Sequence, residues 1–222
     1  VSDGIPQLSL DIPPARMGGM AGRINQSLPV GNEGAGTVIA AGDQAKDWIG
    51  RRVGVIGGGM YADVRKIRTR DALPLPEGVT AAQGAALTVN PMTALGFVET
   101  ARAEGHSAII HTAAASSLGQ MLQRICAQDG VPPVNIVRSD DKLRLLKDAG
   151  ATHVLNSRED DFRTQLIDAV TETGATVAFD AIGGGSLGGE IMQAMEHGAV
   201  NCMTEYSRYG CQRSSNFTST AR

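Results

Sequence analysis

The sequence predicts an α/β protein: a parallel sheet covered by helices on both faces, preceded by a small irregular β domain. Three observations carry this. From Ser107 onward, short apolar runs alternate regularly with amphipathic stretches of helical length. Before that, Gly and Pro are frequent and the apolar stretches are brief and broken by turn signals. With 42% of its 222 residues hydrophobic and 19% charged, the chain can bury a sizeable core without disulfide staples.

In the N-terminal region the apolar stretches are residues 36–40 and 52–56. Residues 38–40 before Gly42-Asp43 are expected to form a strand entering a turn, and residues 52–56 before Gly57-Gly58-Gly59 repeat the pattern. Leu75-Pro76-Glu77-Gly78 closes this part, a helical stretch follows over residues 80–87, and Pro91 opens another helix, its missing amide harmless in a first turn. The domain boundary is therefore placed near Asn90, giving domains 1–89 and 90–222.

The alternation then runs strand 108–110, helix near 118–128 and strand 134–137. A helix over 141–149 sets Leu143 and Leu146 on one face, with Ser139 as a plausible N-cap and Gly150 as its stop. Strand 153–155 precedes a helix carrying Phe162, Leu166 and Val170 one turn apart; strand 176–179, helix 188–196 and strand 199–203 complete the series. Five strands joined by such crossovers require right-handed connections and a sheet buried on both faces. The tail from Gly210 is polar and is expected to lack a core element.

Composition excludes several function classes. Lys plus Arg total 20 against 23 Asp plus Glu, a net charge of -3, and apart from Arg65, Lys66, Arg68 and Arg70, which read as a solvated strand face or turn, the cations are scattered. Nucleic acid is a poor default partner. Cys126, Cys202 and Cys211 form no CxxC pair, which suggests a reducing compartment, and a cytoplasmic location is expected. There is neither an apolar run of about 18 residues nor a secretory signal at the start, so no membrane partner or export is expected. A phosphotransferase is disfavoured because no Gly-rich run ends in Gly-Lys-Ser or Gly-Lys-Thr.

The most informative stretch is Ala113-Ala114-Ala115-Ser116-Ser117-Leu118-Gly119, placed after the first strand of the alternation and opening a helix. Small residues there let the backbone approach a pyrophosphate, and the unpaired amides at the positive end of the helix attract its charge. It is a degenerate dinucleotide fingerprint, since Ala113, Ala115, Ser116 and Ser117 stand where glycine would be freer; a tight turn in a packed sheet accounts for the same residues without a ligand. At the end of the second strand an acid would bind ribose hydroxyls and a cation would neutralise a 2′-phosphate. Arg138, Ser139 and Lys142 favour NADPH over NADH, while Asp140 and Asp141 argue the other way but are also expected in a first helical turn from the helix dipole. Of the segment following the fourth strand, Ile182 and Gly183 are the better candidates for cofactor contact, Gly184 and Gly185 being equally well explained by a simple turn. A methyltransferase shares this architecture but is disfavoured by Arg138.

Taken together, these segments resemble the medium-chain dehydrogenase/reductase superfamily, in its zinc-free quinone-oxidoreductase-like, or zeta-crystallin-like, branch. The matching segments are Gly31-Asn32-Glu33-Gly34-Ala35-Gly36, Leu75-Pro76-Glu77-Gly78, Ala85-Ala86-Leu87, Pro91-Met92-Thr93-Ala94, the turn at 113–119, residues 146–154 and Phe179-Asp180-Ala181-Ile182-Gly183-Gly184, in family order over roughly residues 30–203. The resemblance implies an incomplete GroES-like N-terminal domain, a Rossmann domain, and NADP(H) with substrate in the cleft between them. It places Thr93 near the nicotinamide and phosphates, Ala115, Ser116, Ser117 and Leu118 at the pyrophosphate, Arg138, Ser139 and Lys142 at the adenosine phosphate, and Ile182, Gly183 and Thr204 near the nicotinamide. It also implies a homodimer.

Departures shape the expected chemistry. Asn32 stands where the zinc branch carries a histidine ligand, and an amide is a poor zinc ligand. Neither the cysteines nor His106, His111, His153 and His197 have ligand spacing, so no metal is expected. Ser157 replaces a tyrosine frequent in relatives, and Ser116 and Ser117 replace two glycines. Relatives are longer at both ends, so either segments are missing from this chain or it is a reduced member of the family. The function implied is hydride transfer from NADPH to a quinone or an α,β-unsaturated carbonyl without zinc, in which the cofactor carries the reaction and the protein supplies orientation and hydrogen bonds. No catalytic residue is identified; Tyr61, Tyr206, Tyr209 and Glu33 are weak candidates. The alternative is a nucleotide-binding or structural protein that retains the fold without turnover.

Overall fold

The computed structural model describes residues 26, 29–201 and 216–219, and the chain divides into two compact units, Val1–Ala81 and Ala82–Arg222. In the first, β1 (Glu33–Thr37), β2 (Arg52–Ile56) and β3 (Ala72–Pro74) form a three-stranded antiparallel sheet in the order β1-β2-β3. This is the small β domain expected, and it fits a GroES-like subdomain. Alternation along β2 buries Val53 and Val55 and leaves Arg52 and Ile56 exposed.

The expected strand at 38–40 is displaced. The β1–β2 ladder runs from Glu33↔Ile56 to Thr37↔Arg52. Val38 makes a last pair of bonds with Arg51 and Gly50 at 2.9 and 2.8 Å, and Gly50, at φ 85°, then turns the chain. Residues 33–36 are poor β formers by composition, so pairing with β2 rather than propensity makes them a strand. The cationic cluster at Arg65, Lys66, Arg68 and Arg70 is exposed and lies in irregular and 3-10 turns.

The second unit is the parallel α/β sheet. It contains β4 (Ile109–His111), β5 (Pro133–Val137), β6 (His153–Asn156), β7 (Val177–Asp180) and β8 (Asn216–Ser219) in the order β6-β5-β4-β7-β8, every neighbouring pair parallel. The helices are α1 (Ala81–Gly84), α2 (Asn90–Ala103), α3 (Ser117–Asp129), α4 (Asp140–Asp148), α5 (Phe162–Thr173) and α6 (Leu187–Asn201). The first strand of the alternation is thus central, and strand order reverses between β4 and β7. In such sheets ligands collect at that reversal, outside the carboxyl ends of the strands.

Both faces are buried. Ile110, Val134 and Ile136 pack on Phe162, Leu166 and Val170 of α5 and Ile191 and Met195 of α6. Ile109, Val177 and Phe179 pack on Ala94, Phe97 and Val98 of α2 and Leu122 and Cys126 of α3. The switch of face between Ile109 and Ile110 is the two-residue strand period, and full burial of each large aliphatic side chain contributes roughly 1.5–3 kcal/mol.

Two expectations fail at the end of the chain. Residues 199–201, expected to open the fifth strand, are the last turn of α6, and residues 202–203 lie outside the described residues. Ile191, Ala194, Met195 and Gly198 are the buried positions of α6, a helical spacing that carries the helix onward to Asn201. The fifth strand instead comes from the tail expected to lack a core element: β8 pairs with β7 from Val177↔Asn216 to Asp180↔Ser219. Backbone hydrogen bonds define such a strand, and a polar sequence does not forbid them.

Candidate functional site

β4 leaves the sheet into a turn fixed on both sides. The Thr112 amide donates to the Phe179 carbonyl in β7 at 3.2 Å, and the Ala114 amide donates to the Ile136 carbonyl in β5 at 3.2 Å. Between them Ala113 is held at φ 53°, the sole non-glycine with positive φ among the described residues. That left-handed conformation costs an L-residue roughly 1–2 kcal/mol. Gly119 is required by close approach: a Cβ there would lie 2.1 Å from the Ala114 carbonyl oxygen.

Ser116 caps α3. Its hydroxyl accepts the Gly119 amide at 3.2 Å, its carbonyl accepts the Gln120 amide at 2.9 Å, and the Gln120 side chain donates to the Ala115 carbonyl at 3.0 Å. The amides of Ser117 and Leu118, the first two of this 13-residue helix, have no protein acceptor among the described residues. Ser116 and Ser117 are exposed, and Ala115 and Leu118 are half-buried. Free amides at the positive end of a helix form an anion site.

One strand over, Arg138 is the first residue after β5. It is exposed and has no ion-pair partner among the described residues. Ser139 is the N-cap residue of α4 by position, but its hydroxyl does not cap the helix backbone. It bonds the Asp141 carboxyl instead, and that bond is the main reason Asp141 is held below the usual carboxylate range, with the Lys142 charge adding to it. Asp140 is also engaged: its carboxylate accepts the Asn156 side-chain amide at 2.8 Å. Both acids thus accept hydrogen bonds from neighbouring side chains and keep their negative charge.

At the reversal of strand order two side chains meet. The buried Thr112 hydroxyl donates to Asp180 Oδ1 at 2.6 Å and accepts the Ala181 amide at 2.8 Å. The Asp180 carboxylate also accepts the Ile182 amide on Oδ1 at 2.9 Å and the Gly183 amide on Oδ2 at 3.0 Å. Three successive amides after β7 are thus consumed by two side chains. Ile182 and Gly183, both half-buried, can offer a ligand carbonyls and side-chain surface but not these N–H groups.

His111, just before Thr112, is fully buried; its Nδ1 donates to the Phe179 carbonyl at 3.2 Å, and its Nε2 has no hydrogen-bond partner. Burial lowers its pKa to about 4, against the smaller raising effects of that carbonyl and of Asp180, so it is a neutral structural imidazole at ordinary pH.

The remaining sequence candidates are dispersed. Thr93, half-buried in the first turn of α2, donates its hydroxyl to the Val89 carbonyl at 2.9 Å. Tyr61 belongs to the first unit and is 85% exposed, and Glu33 opens β1. Thr204, Tyr206 and Tyr209 lie outside the described residues. Among the described residues no three His, Cys, Asp or Glu side chains are grouped to hold a metal ion. The Cys126 thiol is pushed up to about 12, first by burial and then by Asp129, with Arg102 opposing, and is unreactive.

Sequence reasoning missed Thr112 and the bonding roles of Asp180 and Asn156. Asp180 and Asn156 each end an otherwise largely apolar strand at its carboxyl edge, which was the available signal.

A parallel sheet of this strand order, with a capped helix N-terminus beside its central strand, defines a Rossmann-like α/β domain. The model of the family described as "Zinc-binding dehydrogenase" matches residues 117–204. The chain is 31% identical over 163 residues to the synaptic vesicle membrane protein VAT-1 homolog of Rattus norvegicus, covering 71% of this chain and 40% of that protein. It is 25% identical over 158 residues to a quinone oxidoreductase of Pseudomonas aeruginosa, covering 69% of this chain and 49% of the relative. Among solved structures, a Mesorhizobium loti protein assigned as an NADPH:quinone reductase is 34% identical with a TM-score of 0.67, covering 75% of this chain and 50% of that one. The chain thus spans about half, or less, of the length of these relatives. These matches place the chain with the medium-chain dehydrogenase/reductase superfamily, among quinone- and enoyl-reductase-like relatives.

Proposed function

We propose that this chain carries the nucleotide-binding core of an NADPH-dependent oxidoreductase that reduces a quinone or an α,β-unsaturated carbonyl without zinc. The observation that carries the reading is the pairing of free amides at Ser117 and Leu118 with the exposed Arg138, on the carboxyl ends of hydrogen-bonded neighbouring strands. An anion-binding turn beside a guanidinium suits a dinucleotide that bears both a pyrophosphate and a 2′-phosphate.

In this reading Ala115, Ser116, Ser117 and Leu118 hold the pyrophosphate. Arg138 forks onto the 2′-phosphate, with Lys142 adding charge and Ser139 a hydroxyl. Thr93, Ile182, Gly183 and Thr204 orient the nicotinamide end. When bound, NADPH would supply the hydride; the chain's own residues bind, orient and exclude water. The functional division falls between residues 89 and 90, at the start of α2. The protein is placed in the cytoplasm as a homodimer whose partner is a small electrophile. No described helix is long and apolar enough to cross a membrane.

The names of the P. aeruginosa and M. loti relatives support this activity, and a mycobacterial relative, 25% identical with a TM-score of 0.62, was solved in complex with NADPH. A second reading, a nucleotide-binding or structural protein without turnover, is favoured by the serines at 116 and 117 and by the rat relative's name, which specifies no reaction.

The test is a titration of the full-length protein with NADPH and NADH by nicotinamide fluorescence, followed by addition of 1,4-benzoquinone or an enone. Preferential NADPH binding with oxidation on adding electrophile is expected. Binding without oxidation across a broad electrophile panel selects the second reading, and absence of nucleotide binding rejects both.

A further inference from the structure

The buried polar pair at the reversal of strand order plays no part in the adenosine-end chemistry described above. Thr112 and Asp180 are only 1% and 3% exposed, and neither was needed to explain phosphate binding. The side chains of this pair bond each other and hold the amides of Ala181, Ile182 and Gly183. The Thr112 hydroxyl is the shared element. It belongs to the turn that leads into α3, yet it holds the first amide after β7 and donates to the carboxylate that holds the next two.

Gly183, Gly184 and Gly185 all have positive φ, so the segment's own sequence gives it little stiffness. Its geometry is supplied from beneath, by side chains 68 and 69 residues apart in the chain for the bonds that cross between the two segments.

We infer that Thr112 and Asp180 are positioning residues: they hold the 181–183 backbone in the one arrangement that seats the nicotinamide end, acting through that backbone and without touching the ligand. The inference rests on the proposed nucleotide site. A hydroxyl-for-methyl exchange at Thr112 removes a donor to Asp180 and leaves the Ala181 amide unsatisfied, freeing the segment while leaving the 114–119 backbone bonds in place. Misplacing a reacting group by about 1 Å costs on the order of 100-fold in rate, so loss of this restraint acts on kcat.

The experiment compares Thr112→Val, Thr112→Ser and Asp180→Asn with wild type in the full-length protein. It uses NADPH with 1,4-benzoquinone for turnover and 2′-phospho-ADP-ribose, which lacks the nicotinamide, for adenosine-end affinity. T112V and D180N are expected to lower kcat about tenfold or more while fragment affinity stays within about twofold, and T112S, which keeps the hydroxyl, is expected to restore wild-type kcat within about twofold.

Wild-type kcat in T112V, or a fragment affinity that falls in step with kcat, overturns the positioning role alone. Wild-type protein that takes up no nicotinamide nucleotide overturns the proposed function and the positioning role together. Hydrogen exchange on the unmodified protein gives a second measurement that needs no variant to fold: the amides of Ala181, Ile182 and Gly183 are expected to be protected without cofactor, and free exchange overturns the inference.

Discussion

A neutral histidine in the sheet makes stability depend on pH in a defined direction. The His111 pKa falls from 6.5 to about 4 on folding, so between these values the unfolded chain binds more protons than the native one. Its contribution is complete above about pH 6.5 and lost as pH falls toward 4, amounting to on the order of 3 kcal/mol. Denaturant unfolding across that window should show the loss, and His111→Gln should flatten it. Arg138→Ala is expected to weaken NADPH about tenfold or more and NADH less than about twofold, since a charge-assisted fork contributes roughly 1.5–3 kcal/mol; equal weakening of both nucleotides by titration would remove Arg138 from the phosphate site. Gly119→Ala places a Cβ against the Ala114 carbonyl oxygen and should lower stability by about 2 kcal/mol or more, read by thermal unfolding. The strand-to-helix turn at 113–119 and the place of Arg138 just after β5 were legible because both are local to a strand end. The bond between Thr112 and Asp180 was not, because it exists only once β4 and β7 become neighbours.

Helices of the second unit were readable where their buried positions fall at helical spacing. Phe162, Leu166 and Val170 are all buried in α5 as their spacing requires, and Leu166 is wholly enclosed. Leu166→Ala should therefore cost roughly 2–5 kcal/mol by denaturant unfolding, with little change in nucleotide affinity, because the side chain faces the core under α5 and α6 rather than the carboxyl edge. The end of α6 shows where spacing misleads. Residues 199–203, mostly apolar, suit a strand or a helix end equally well in sequence, and 199–201 continue α6 beyond Gly198, which packs so closely on Val170 that a Cβ would lie 2.7 Å from Cγ1. β8 was invisible for a different reason. Its residues satisfy backbone pairing with β7, and no alternating apolar pattern announces such a strand.

Across the whole chain the described apolar core is unequally divided: Val53 and Val55 are the buried hydrophobic side chains of the first unit, whereas the second fills both faces of its sheet. Native-state hydrogen exchange is expected to show faster exchange for β1–β3 than for β4–β7, and added NADPH should slow exchange in the second unit through ligand linkage. Uniform protection over both units would contradict this ordering. The fold class was legible because alternation of strand and helix is a property of long stretches, insensitive to errors of two or three residues at element ends. The strand order has a further consequence during synthesis. The strand translated first in the α/β unit sits at the centre of the sheet, and β4, β5 and β6 can assemble while the rest of the unit is still within the ribosome. Until β7 emerges, one flank of β4 is an unsheltered template for pairing with other nascent chains, so the interval between translating residues 111 and 177 is the window in which a chaperone matters most.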